Sequence, residues 1–123
     1  MMKVYLDTNI IMDFLEGRNK KAFEIIQASL DCKFYLIISD LVLKELDYQN
    51  MKYEMFLKLI SRKLIQVITE KEDTRKAKKY LGYTHPNDAL HAVLAEKAKA
   101  DKLLTQNIKD FTFLKIAINY DGF

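Results

Sequence analysis

Four acids stand where a folded chain has least use for them. Asp7 closes the apolar run Val4-Tyr5-Leu6, and Glu45 lies within the helix-like stretch "DLVLKELDYQ". Asp88 follows Pro86 and Asn87 at the start of "PNDALHAVLAEKAKA", and Asp110 follows Thr105 and Asn107 in "LLTQNIKDF". At about 100° per residue, Glu45 projects between Leu41 and Val42 on the apolar side of its helix. An ionised carboxylate there is costly unless a cation or several donors receive it. Each residue also has a purely structural reading. Glu45 can sit at the edge of its stripe, and Asp88 is favoured near a helix start by the macrodipole. Asp110 can cap a turn, and Thr105 and Asn107 are ordinary turn formers. Together, clustered oxygen ligands of this kind are what Mg²⁺ or Mn²⁺ selects. No Cys/His spacing suggests zinc, and His91, three residues after Asp88, reads as a packing or supporting side chain.

The elements that must position these acids alternate. Strand-like runs cover Lys3–Leu6, Phe34–Ile38, Leu64–Ile68, Lys102–Thr105 and Lys115–Tyr120. Helix-like stretches between them cover Ile10–Glu16, Lys20–Ser29, Leu41–Gln49, Met51–Arg62, Glu70–Leu81 and Asp88–Ala100. Strands alternating with helices imply right-handed crossovers and a mostly parallel sheet covered on both faces. The expected fold is a three-layer α/β/α sandwich with five strands in one domain, residues 1–123. In such sheets ligands bind beyond the carboxyl ends of the strands. Asp7 and the segment from Thr105 to Asp110 fall at two of those ends.

Composition narrows the class. The 123 residues are 50% hydrophobic, enough for one core and too apolar for a disordered chain. No apolar run reaches the roughly 18 residues of a membrane span. Asp7 and Asp13 interrupt the N-terminal apolar stretch, so it does not read as a signal peptide. One cysteine, Cys32, excludes an internal disulfide and points to a reducing, cytoplasmic setting. The net charge is +3, mild for a dedicated nucleic-acid binder. Cations gather between Arg62 and Lys79, seven against three acids, which makes that segment a candidate phosphate-contacting rim or a solvated helix face.

"VYLDTNIIMDFL", "SDLVLKEL" and "NDALHAVLAEKAKADKLLTQNIKDF", in this order and over essentially the whole chain, resemble the PIN-domain proteins, including the VapC-type toxin ribonucleases. The resemblance implies an endoribonuclease dependent on Mg²⁺ or Mn²⁺, with RNA as substrate and an antitoxin as partner. It assigns Asp7, Glu45 and Asp88 as the first three acids, Asn9 and Thr105 as supporting groups, and the fourth acidic position to "TQNIKDF". There Asn107 stands where many members carry Asp, and Asp110 follows three residues later. The catalytic set so implied is Asp7, Glu45, Asp88 and Asp110, and the metal-holding set is Asp7, Asp88, Glu45 and Asn107. VapC-type domains pair, and the apolar content of "KYEMFLKLIS" (Lys52–Ser61) fits a homodimer. Two rivals differ in class. A PIN-like scaffold that only binds RNA or protein would show no metal-dependent cleavage. A phosphoacceptor or phosphohydrolase with a strand-one Asp nucleophile lacks a second acid two residues on, because Asn9 stands there.

Overall fold

The computed structural model describes residues Met1–Phe123. Strands β1 (Met2–Leu6), β2 (Phe34–Ser39), β3 (Leu64–Val67), β4 (Lys102–Thr105) and β5 (Ala117–Asn119) form one sheet in the order β3-β2-β1-β4-β5. Every neighbouring pair is parallel. Six helices connect them: α1 (Thr8–Glu16), α2 (Lys20–Leu30), α3 (Asp40–Tyr48), α4 (Glu54–Leu59), α5 (Lys71–Ala77) and α6 (Pro86–Lys97). The chain winds outward from β1 to β3, then returns past β1 to β4. Because parallel crossovers are right-handed, the outward helices α1–α4 cover one face and α5 and α6 cover the other. The packing agrees: α1 touches α2 and α3, and α5 packs along α6.

Residues 4–6 of β1, 36–38 of β2 and 103–104 of β4 are buried, as strands covered on both sides must be. Ile10 and Ile11 of α1, Ile25 and Ile26 of α2, Leu46 of α3, and Ala92, Leu94 and Ala95 of α6 close over them. Alanine dominates the inner side of α6, which lets that helix lie close to the sheet. Gly17 ends α1 in the left-handed region (φ 65°), a conformation that favours glycine.

The three-layer parallel sandwich expected from the sequence is the one found. The differences lie at element ends. Helix over 51–62 is confined to Glu54–Leu59, because Asn50 leaves α3 in the left-handed region (φ 56°) and Tyr53 is not yet helical. The last strand shortens to Ala117–Asn119, where it pairs with β4. Helix α6 begins two residues early, with Pro86 in its first turn and His85 extended as its cap.

Candidate active site

Strand order reverses between β1 and β4: the chain leaves β1 toward β2 on one side and comes back to β4 on the other. That switch point is where a doubly wound sheet opens a crevice at its carboxyl edge. Asp7 sits on it, tied across by its own N–H to the Leu104 carbonyl at 3.0 Å. The acid at this junction has a structural role as well. Asp7 is the N-cap of α1, and its Oδ1 accepts the Thr8 N–H at 2.8 Å. Its Oδ2 accepts the Thr105 hydroxyl at 2.8 Å, so β4 fixes the other oxygen. Each oxygen keeps a further lone pair for a ligand.

A cleft of about 720 Å³ opens here, and Asp7, Thr8, Asn9, Glu45, Asp88 and Asn107 all line it. Helix α3 contributes Leu41, Glu45 and Tyr48 at one- and two-turn spacing, together with Lys44, the only Lys or Arg on its walls. Glu45 Oε1 accepts two hydrogen bonds, from the Thr8 hydroxyl at 2.5 Å and from His91 Nε2 at 2.8 Å. Its Oε2 accepts only Asn87 Nδ2, at 3.3 Å. Burial pushes Glu45 upward, but the donors and charge of His91 and the bonds from Thr8 and Asn87 outweigh it and hold the carboxyl below its usual range.

Asp88 is in the opposite condition. Half-buried at the start of α6, it is raised to about 6 by burial and by the charges of Asp7 and Asp110, against the opposing pull of His91. No hydrogen bond from the protein offsets that burial. It is a carboxylate placed to receive something positive.

Asn107 is exposed on the crevice wall, its N–H donating to the Thr105 hydroxyl at 3.0 Å. Asp110 does not line the crevice. It lies in a single 3₁₀ turn, Ile108–Phe111, with its N–H on the Asn107 carbonyl, and only its charge reaches Asp88. The basic segment is elsewhere too. None of the cations between Arg62 and Lys79 lines the crevice, and Arg62 and Lys63 precede β3 at the opposite edge of the sheet. Lys76 and Lys79 border a separate small cleft with Asp73 and Lys97. That segment is therefore a solvated surface of this chain rather than the rim of its acidic crevice.

The donor set suits a hard divalent cation. Asp7 and Asp88 face one crevice with lone pairs to spare, Glu45 presents Oε2, and Asn107 adds a neutral oxygen. No three of the acidic, histidine or cysteine side chains converge on one point. The chain's own ligands would then number one or two, with water and substrate completing the shell, an arrangement typical of Mg²⁺.

A doubly wound parallel sheet with an acidic crevice at its switch point defines the class. The chain belongs to the PIN-domain family, whose sequence profile matches residues 3–109. Among curated proteins no relative matches. Solved structures share the fold at low identity. A toxin–antitoxin complex from Klebsiella pneumoniae aligns with TM-score 0.73 and 19% identity, covering 95% of this chain and 97% of that one. VapBC2 from Rickettsia felis, bound to a DNA fragment from its promoter, gives 0.71 and 23% over 96% and 98%. VapBC-1 from nontypeable Haemophilus influenzae gives 0.66 and 22% over 98% and 99%.

Proposed function

We propose that this chain is a single-domain, divalent-metal-dependent endoribonuclease, spanning residues 1–123 and acting in the cytoplasm as the toxin of a toxin–antitoxin pair. The observation that carries the reading is Asp88, a half-buried carboxylate that feels the charge of Asp7 and has no hydrogen-bond donor of the protein to receive it. Asp7 and Asp88 would hold Mg²⁺ or Mn²⁺, which when bound supplies Lewis-acid polarisation of a phosphodiester and a more acidic water. Thr8 and Thr105 fix the two oxygens of Asp7 by donating to them. Glu45 turns Oε2 to the crevice, where it accepts a hydrogen bond from an attacking water. Lys44, the lone Lys or Arg on the walls, meets a substrate phosphate. Asn107 and Asn9 supply neutral oxygens, and Asp110 acts on the site through its charge alone.

The PIN family and toxin–antitoxin neighbours of the same fold support this assignment, and RNA as substrate follows the same resemblance. Phe23, Met55, Leu59 and Tyr83 are each more than half exposed, apolar surface that an antitoxin or a second copy would cover. The test is incubation of a labelled single-stranded RNA with the protein and Mn²⁺. Cleavage that stops with chelator and leaves 5′-phosphate ends is expected. Cleavage indifferent to chelator, or 2′,3′-cyclic phosphate ends, would refute it.

A further inference from the structure

A chain of four polar side chains crosses the core beneath the crevice. Ser39 Oγ and the Tyr5 hydroxyl are 2.8 Å apart, Tyr5 and His91 Nδ1 are 2.6 Å apart, and His91 Nε2 donates to Glu45 Oε1 at 2.8 Å. Ser39, Tyr5 and His91 are 0%, 0% and 1% exposed. The Tyr5 and His91 rings meet edge to face with centroids 5.7 Å apart. Polar groups that deep cost free energy unless every one is paired, and an apolar core would occupy the space without that demand. Here every one is paired: the only buried side-chain polar atom left without a partner is Thr84 Oγ1, outside this chain. When the imidazole is neutral, the Tyr5 hydroxyl donates to Nδ1; when it is charged, Nδ1–H donates to Tyr5. Either way Nε2–H points at Glu45, because a carboxylate only accepts.

The far end of the chain has a consequence in the crevice. Thr8 of α1 and His91 of α6 hold the same oxygen of Glu45 from two elements. That fixes the carboxylate plane and leaves Oε2 as the atom turned to the cleft. A glutamate at a partly open helix position otherwise samples several rotamers. We propose that Tyr5 and His91 are positioning residues, a buried strut from β1 that aims Glu45 Oε2 at the attacking water. The proposal rests on the nuclease reading above for its catalytic meaning, and on the distances alone for the strut.

Three substitutions separate positioning from packing. Tyr5→Phe conserves volume and breaks the link. In saturating Mn²⁺ it should lower kcat about tenfold while KM stays within about twofold. His91→Gln places an amide nitrogen near the site of Nε2 and keeps the donor to Glu45. His91→Asn places it near Nδ1 and loses that donor. The Gln variant should retain about ten times the kcat of the Asn variant at similar melting temperature. Equal activities, or activities that merely follow stability, would overturn the strut. An activity-free measurement accompanies them. In ¹⁵N-histidine-labelled protein, the His91 Nε2–H should exchange slowly with water in wild type and fast in Glu45→Ala, which removes the acceptor. Fast exchange in wild type would overturn the strut whatever the kinetics show. A wild type that does not cleave RNA yet protects this proton would instead refute the nuclease reading alone.

Discussion

Asp88 is the residue whose chemistry depends most on what surrounds it. Its carboxyl is raised from 3.8 to about 6, so between those values the folded protein binds a proton that the unfolded chain has lost. Stability of the metal-free protein from this group is therefore present below about pH 4 and falls as pH rises through 6. Discounting for its exposed half, the effect is on the order of 1 kcal/mol. Metal-free wild type should melt higher at pH 5 than at pH 7 relative to Asp88→Asn, which removes the titrating group. Identical pH dependence in the two, read by thermal denaturation, would contradict this. Glu45 and Asp73 are shifted the other way, and their contributions are lost only at lower pH. Position 107 is the complementary case. Asn107→Asp adds a charge to the same wall, so it should lower the metal-free melting temperature and tighten Mn²⁺ binding about tenfold, the equivalent of roughly 1.4 kcal/mol. Calorimetric titration decides it, and unchanged affinity would remove Asn107 from the metal's surroundings.

The elements place these residues by cooperating across the sheet. Ser39 ends β2, caps α3 by accepting the Val42 N–H at 3.2 Å, and bonds Tyr5 of β1. Ser39→Ala should therefore cost about 1–2 kcal/mol, a drop of about 5 °C in melting temperature, and disorder the strut at its root. A loss under 1 °C would show that the cap is dispensable. At this scale much was legible in the sequence. Apolar runs ending on Asp7, Ser39 and Thr105 marked strand ends, while the strand order that sets β4 beside β1 at a switch point came only with the structure. Glu45 and Asp88 could be placed on faces by helical period. What was not legible depends on contacts between distant segments. Tyr5 looked like any aromatic in a buried strand, with only its hydroxyl as a hint that a partner was needed. Thr8 lay two residues before the helix expected from Ile10, and nothing local shows that its hydroxyl reaches Glu45, 37 residues away. The charge of the Arg62–Lys79 segment was plain, but its distance from the crevice depends on β3 being the edge strand.

The whole molecule leaves apolar side chains uncovered on more than one helix, among them Phe23 on α2 and Met55 and Leu59 on α4. A chain of this size with such a surface should self-associate through it. Light scattering at micromolar concentration is expected to give twice the 14.5 kDa chain mass, and a clean monomer would contradict the homodimer. The most direct test of the account is RNA cleavage in Mn²⁺ by wild type and Asp7→Asn. Asparagine caps a helix as well as aspartate does, so α1 and the fold should survive the substitution. The expected result is cleavage by wild type and a loss of at least about a hundredfold in the variant, with its melting temperature preserved or raised. If Asp7→Asn cleaves RNA as fast as wild type, the acidic crevice is not the seat of a nuclease.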